Sequence, residues 1–456
     1  VFEAIEQIAS TSSKNEKTLI LGLHIDEPLL QRVLKAALDP TISYGVTGIK
    51  GRDITGDEHD AGGLFDTGTW GVIDDLGNRR LTGNNAHAAI EGEINRLDAK
   101  SSQLFARILN KDLRAGFSES TVNKVKSGLI PEFPYMRCSL PKAAKLDTWP
   151  WTLGVFSQEK ADGMFANVDH FDNGTVAIRS RQGSPFPLQH LGVLVNNIAT
   201  HLDRGTETHG ELLVYQDGKV LPREESNGVL NSILNGGALE ANQEVVFFAW
   251  DQIPLTAVQP KGKYEFSYEA RFTELLRQLE RATIQEQAVR LIPTRRVYSL
   301  DEGYSHYREL LAEGKEGTII KHPKAVWKDG TSKEQIKLKL EVDVDLVSVE
   351  VVPGSVGTKN EGRAGSIKMQ SADGQLVVDV TIKNEALRDA VDANPQAYLG
   401  RVWAVRANSI MKPAANDELH SLFLPRMVEA GYRIDKTRGD TLPEIKDQFE
   451  AAVKAA

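Results

Sequence analysis

One lysine and one lysine-rich segment of this chain have the type and spacing to do chemistry, as a lone amine facing a cleft and as a row of amines able to meet a phosphate. The first is Lys160, in Glu159-Lys160-Ala161-Asp162-Gly163. The apolar run Trp151–Phe156 reads as a strand leading into it, and Asp162-Gly163 can turn the chain into the next strand. That puts an amine at a sheet end, facing a cleft. K-x-D-G alone is common, and a solvated lysine before a turn is its ordinary meaning. The second group lies in residues 321–340, where Lys321, Lys324, Lys328, Lys333, Lys337 and Lys339 face only Asp329 and Glu334. From Gln335 onward polarity alternates: Ile336, Leu338, Leu340 and Val342 on one face, Lys337, Lys339, Glu341 and Asp343 on the other. Two amines on one strand face can reach a single phosphate. A solvated edge strand guarded by lysines would show the same pattern.

The elements that must position these residues follow from periodicity. Residues 1 to about 145 read as helical. Leu29, Leu30, Val33, Leu34, Ala37 and Leu38 recur at amphipathic-helix spacing, as do Ala86, Ala89, Ile90, Ile94 and Leu97. A third stretch runs from Leu104 to Leu113, and residues 51–75, rich in Gly, Asp and Thr, read as loop. After Trp151 the pattern turns strand-like, with a hairpin signal at Asp172-Asn173-Gly174 and helices expected near 228–239 and 267–282. From about 342 strands dominate again, at Leu346–Val352, Gln375–Val380 and Val402–Arg406, which suggests a β-barrel.

Composition bounds the rest. The 456 residues carry 54 Lys+Arg against 63 Asp+Glu, a net charge of −9, which by itself argues against a nucleic-acid partner. One cysteine, Cys138, excludes an intramolecular disulfide and a four-cysteine zinc site and fits a reducing cytosol. No apolar run approaches the roughly 20 residues of a membrane span, so no membrane partner is expected.

An ordered series follows Lys160: Ser180-Arg181-Gln182-Gly183, His209-Gly210-Glu211, Phe247-Phe248-Ala249-Trp250-Asp251, Glu316-Gly317-Thr318-Ile319-Ile320-Lys321, Lys337-Leu338-Lys339 and Arg433-Ile434-Asp435-Lys436. This order resembles the covalent nucleotidyltransferases: DNA ligases, RNA ligases and mRNA capping enzymes. Arg107–Gly116, Asn123-Lys124-Val125, Gly128–Glu132, Ser226-Asn227-Gly228 and Leu422-Phe423-Leu424-Pro425 narrow the resemblance to ATP-dependent DNA ligases of the T-even bacteriophage type. The similarity covers nearly the whole chain.

The resemblance implies a multidomain α+β protein. It comprises a helical DNA-binding domain (1–145), a central α/β nucleotidyltransferase domain with ATP-grasp-like antiparallel sheets (150–341) and an OB-fold β-barrel (342–456). Lys160 would be the nucleophile toward the ATP α-phosphate. A lysine amine is protonated up to about pH 10.4, so nearby cations must lower its pKa. Glu159, Arg181, Glu211, Trp250, Lys337 and Lys339 would contact the nucleotide, with Trp250 stacked on adenine. Glu211 and Glu316 would hold Mg²⁺. Arg433, Asp435 and Lys436 would orient the leaving pyrophosphate, with a hinge at Glu341-Val342-Asp343. Arg181, Lys321, Lys124 and Lys126 would meet DNA, Arg181 at the 5′-phosphate of a nick. Asp162, Gly163 and Arg271 match family positions without a firm role, and an arginine on a helix such as Arg271 is usually solvated. The implied partner is nicked duplex DNA encircled by a monomer, in the cytoplasm of a phage-infected bacterium.

Three features depart from the family. Phe165 stands where an arginine usually follows the motif's glycine, His209 replaces an aspartate, and residues 51–75 match nothing. Gly354-Ser355-Val356-Gly357-Thr358-Lys359 echoes a P-loop with the wrong spacing and order, and Cys138 reads as a packed or idle thiol. An RNA ligase, capping enzyme or other covalent nucleotidyltransferase on the same core and a non-catalytic nick-binding clamp are the competing readings. The helical region argues against the first and the intact Lys160, Glu211, Glu316, Lys337 and Lys339 against the second.

Overall fold

A computed structural model describes residues 1–54, 62–280, 288–411, 413 and 418–455. The chain divides into two compact units, 1–131 with 341–449 and 132–340 with 450–456.

The first unit begins with helices Phe2–Ala9, Lys14–His24, Pro28–Leu38, Thr67–Gly77, Gly83–Arg96, Ala99–Leu109 and Glu119–Val125. Leu30, Val33, Leu34 and Ala37 bury the expected stripe against Phe105 and Ile108. Two expectations need correction. Residues 51–75 are not all loop: Asp66 accepts from the Thr69 amide at 3.0 Å, a capping box that starts helix Thr67–Gly77, whose Trp70, Ile73 and Leu76 are buried. Residues 55–61 of that stretch lie outside the described residues. The helix expected to reach Leu113 stops at Leu109, because Lys111 and Arg114 take positive φ of 58°.

The same unit contains an antiparallel sheet in the order Val377–Thr381, Ala364–Gln370, Val342–Pro353, Val402–Ala407, Arg426–Met427. Leu346, Ile367, Met369, Val380 and Trp403 are buried in it. The stretch that echoes a P-loop joins two of these strands. Its Lys359 amide donates to Asp112 at 3.0 Å and its Gly357 amide to Glu361 at 3.0 Å, while Arg114 pairs with Glu361. The Gly357 bond closes the loop on itself, and the Lys359 amide and the Arg114–Glu361 pair hold it on the end of the helical region.

The second unit is entered at Glu132, earlier than the helical reading to 145 suggests. Met136–Ser139 is a strand, set off by Pro131 and Pro134, and pairs in parallel with Gly330–Lys339. One sheet runs Met136–Ser139, Gly330–Lys339, Gly317–Lys321, Val155–Glu159, Thr294–Val297. Its apolar face, with Val155, Ile320, Ile336 and Leu338, packs on Tyr307 and Leu311 of helix Leu300–Ala312. The second sheet runs Val176–Ser180, Met164–His170, Thr206–Gln216, Gln243–Pro254, Val289–Leu291. Ala166, Val168, Leu212, Val214, Phe247 and Ala249 form its apolar face, against helices Gly192–His201, Arg223–Leu234 and Tyr268–Leu279. Strand alternation therefore turns Phe165, Asn167, Asp169, Glu207, His209 and Glu211 to the opposite face.

Candidate active site

Lys160 sits in a four-residue connection between strands Val155–Glu159 and Met164–His170. Its amide donates to the Gly317 carbonyl at 2.9 Å, and its Nζ pairs with Glu316. Asp162 pairs with Arg223, and the Gly163 amide donates to Glu211 Oε1 at 3.1 Å. A Cβ on Gly163 would lie 2.2 Å from the Leu212 carbonyl oxygen and 3.0 Å from Glu211 Cγ, so only glycine fits.

Three carboxyls surround the amine. Burial pushes Glu211 up to about 7; Lys160 works against that shift and Glu316 adds to it. Burial also raises Asp162, opposed by Arg223. A desolvated carboxyl beside a second one suits a hard cation, since Mg²⁺ is bound through one or two carboxylates and keeps several waters. Glu211 and Glu316 therefore fit Mg²⁺. Among the described residues no group of three or more His, Cys, Asp or Glu has metal-holding geometry.

Phe165, two residues past Gly163, belongs to an aromatic wall. His209 pairs with Asp251 and Gly210 with Ala249, which leaves Trp250 as the extra residue of a β-bulge. Bulges re-aim side chains, and Trp250 reaches Phe165, ring centroids 5.8 Å apart. A Cβ at Gly210 would sit 2.4 Å from the Phe247 ring. Phe165 also meets Tyr135 at 5.4 Å, and the Arg181 guanidinium lies 5.3 Å from the Phe165 centroid and 5.5 Å from that of Tyr135. Gly163, Phe165, Ser180, Arg181, Gln182 and Asn227 line an open cleft of about 270 Å³ beside this wall.

The remaining expected residues divide. Glu159 pairs with Lys315 at 2.9 Å. Lys337 and Lys339 lie opposite Ile319 and Gly317, the latter being the residue that holds the Lys160 amide. Lys321 is 3% exposed, with Nζ 4.5 Å from the Tyr268 centroid and 5.6 Å from that of Trp250. Burial lowers its pKa to about 8. An amine so enclosed lies under the aromatic wall, away from the exposed surface that a DNA contact implies. Arg271 is 4% exposed rather than solvated. It donates to both Asp251 oxygens, at 2.7 and 2.9 Å, and to the Ala325 carbonyl at 3.0 Å. Although burial works against it, this guanidinium holds the Asp251 carboxyl low. Burial raises the pKa of the Cys138 thiol, against the fields of Lys321, Lys337, Lys160 and Arg181.

His209 stands where the resemblance leads one to expect an aspartate. Its Nε2 lies 2.8 Å from Glu207 Oε1 and its ring stacks on Trp327, centroids 5.9 Å apart. Arg179 pairs with Asp169 and Glu207, so this part of the polar face is a buried charge network.

Arg433, Asp435, Lys436, Lys124 and Lys126 belong to the first unit. Arg433 pairs with Asp345 at 3.2 Å and with Asp435 at 2.5 Å, and Lys436 also pairs with Asp345. Lys126 pairs with Asp26 at 3.0 Å, and Lys124 is exposed. The sequence reading did not single out Arg223, Tyr135 or Tyr268. Arg223 stands three residues before the Ser226-Asn227-Gly228 stretch, but nothing in its spacing ties it to Asp162.

Residues 152–339 match the family model described as "ATP dependent DNA ligase domain". A DNA ligase of Enterobacteria phage T4 is 27% identical over 494 aligned positions, covering 98% of this chain and 99% of the relative. One from Enterobacteria phage T3 is 33% identical over 118 positions, 25% of this chain and 34% of the relative. Among solved structures, one described as "Pmar-Lig_PreS3" shares the fold with a TM-score of 0.72 and 20% identity, over 95% of this chain and 99% of that one.

Proposed function

From the premise that the chain belongs to the ATP-dependent DNA ligases, we propose how its own residues seal a nick between a 5′-phosphate and a 3′-hydroxyl. The observation that carries this reading is the Lys160 amine, held on Glu316 and acting on the desolvated Glu211, in a connection whose Gly163 lines the cleft with Phe165 and Arg181. Lys160 Nζ attacks the α-phosphorus of ATP; the N–P bond forms as the bond to the β-phosphate oxygen breaks, and pyrophosphate leaves. An oxygen of the nick's 5′-phosphate then takes the AMP and frees the amine. Finally the 3′-hydroxyl attacks the activated phosphate and displaces AMP.

Trp250 stacks on adenine, and Lys337 and Lys339 neutralise the α-phosphate. Arg181, spread over Phe165 and Tyr135, offers its planar fork to the 5′-phosphate. Lys321 supports the nucleotide pocket from beneath. Glu211 and Glu316 would hold Mg²⁺, which would supply charge neutralisation at the phosphates when bound. Arg433, Asp435 and Lys436 serve the first step, so Asp345 must share them with pyrophosphate.

The finer architecture belongs to the same proposal. The sheet of residues 342–427 is the core of an OB-fold barrel, the helical region grips DNA, and the three regions encircle a nicked duplex as a monomer. No helix among the described residues is long and apolar enough to cross a membrane. The cytoplasm of a phage-infected bacterium is the proposed location.

The test is covalent labelling. Incubated with Mg²⁺ and α-labelled ATP, the denatured protein should retain label that chases onto nicked DNA, and Lys160→Ala should retain none. GTP or adenylate-labelled NAD⁺ should leave the protein unlabelled. No adduct with wild type overturns the mechanism; sealing confined to RNA nicks would favour an RNA ligase.

A further inference from the structure

The connection that carries Lys160 is held residue by residue. Lys160 is fixed by the Gly317 carbonyl and by Glu316, and Gly163 by Glu211. Asp162 is fixed by Arg223, at the start of helix Arg223–Leu234. Asp162 lies within the field of both Lys160 and Glu316. Two carboxylates, Asp162 and Glu316, can therefore compete for one ammonium, and Arg223 occupies one of them.

This arrangement bears on the departure at Phe165. That position is committed to the aromatic wall with Tyr135 and Trp250. A guanidinium side chain is thus missing from the strand that follows the nucleophile, while another arrives at the same connection from a helix.

We propose that Arg223 is a positioning residue for lysine adenylation: by holding Asp162 it leaves Lys160 on Glu316, aimed into the nucleotide cleft. The inference rests on the ligase reading above. Arg223 touches Asp162 and acts through it, and a bidentate-capable guanidinium holds a carboxylate's orientation better than a point charge does. Without it the Asp162 carboxylate swings toward the ammonium and draws the amine off its line to the α-phosphorus. Misplacement by about 1 Å can cost on the order of a hundredfold in rate, so a partial loss of aim has a measurable effect.

The experiment is single-turnover adenylation with labelled ATP and Mg²⁺ on the full chain, comparing wild type with Arg223→Gln, Arg223→Lys, Asp162→Asn and the Arg223→Gln/Asp162→Asn double variant. Arg223→Gln should lower the maximal rate about tenfold while the half-saturating ATP concentration stays within about twofold. Arg223→Lys should recover part of that loss. The double variant should be no slower than Arg223→Gln, because the stray carboxylate is gone. Should Arg223→Gln fold poorly by thermal melting, Arg223→Lys carries the comparison, expected to slow the rate with unchanged ATP dependence, while Asp162→Asn, which removes the competing carboxylate, should stay within about threefold of wild type. An unchanged rate in both arginine variants, a double variant slower than Arg223→Gln, or a tenfold rise in half-saturating ATP at constant maximal rate would each overturn the proposal. Failure of wild type to label would instead overturn the ligase reading itself.

Discussion

Lys321 shows how far a residue's type can be read and where its surroundings take over. Its place in a lysine-rich segment suggests an open cation, yet it lies buried against Tyr268 and Trp250 with its pKa lowered to about 8. An unfolded lysine keeps its proton to about pH 10.4. Between those values the unfolded chain binds a proton that the folded chain does not, so stability rises with pH through that window. Below pH 8 the full cost of a buried ammonium is present. Lys321→Met should therefore be more stable than wild type at pH 7, by roughly 1–3 kcal/mol, and the difference should shrink as pH approaches 10. Urea melts at pH 7, 8.5 and 10 check this; a variant less stable than wild type at pH 7 would show that attraction to Asp251 outweighs burial. His209 is the converse case. An aspartate there would add a third acid beside Glu207 and Asp169, whose carboxyl burial and the Glu207 charge already push up to about 7. The imidazole instead meets Glu207 at 2.8 Å, so the family's residue type would be costly in this particular face.

The strands explain what could be read along the chain and what could not. Alternation at Ile336, Lys337, Leu338 and Lys339 was legible because one sheet face packs on helix Leu300–Ala312, so period and burial coincide. The connection at Lys160 was legible for a related reason: Asp162-Gly163 is a turn signal between two apolar runs. Helix Thr67–Gly77 was hidden because its glycines and aspartates mimic loop composition, while its cap at Asp66 is one residue in a long polar stretch. The bulge at Trp250 was hidden too, since it arises from pairing with a strand some 40 residues away in sequence. So was the Asp162–Arg223 pair, whose partners are 61 residues apart. Such contacts have no local period. Gly163 belongs to this scale because its constraint comes from the neighbouring strand rather than from φ. Gly163→Ala must push the Leu212 carbonyl or Glu211 aside, at a cost of about 1–3 kcal/mol. Adenylation should fall at least about a hundredfold if the displaced group is Glu211 or Lys160. Thermal melting and the labelling assay read the two effects separately, and an alanine variant that adenylates at wild-type rate would show that the strand yields without disturbing the site.

Across the whole molecule, a net charge of −9 and a polyanionic partner are compatible only if cations are concentrated and acids are held away from the phosphates. Residues 321–340 provide a local excess of lysines. Elsewhere many cations are already neutralised: Arg433 and Lys436 by Asp345, Arg114 by Glu361, Lys126 by Asp26, and Arg363 by Glu385, Asp389 and Asp392. Binding DNA through such residues means exchanging an internal carboxylate for a phosphate, which gains little beyond counterion release. Added salt removes that gain. The affinity for a nicked duplex should therefore fall steeply with salt, with a log–log slope of about −3 or steeper if at least four phosphates are neutralised. An intact duplex lacks the 5′-phosphate that Arg181 would hold over Phe165 and Tyr135, so it should bind at least about tenfold more weakly. Fluorescence anisotropy with nicked and intact duplexes between 50 and 300 mM salt measures both quantities. A slope near zero would remove the electrostatic argument, and equal affinities would place recognition on the duplex backbone rather than at the nick.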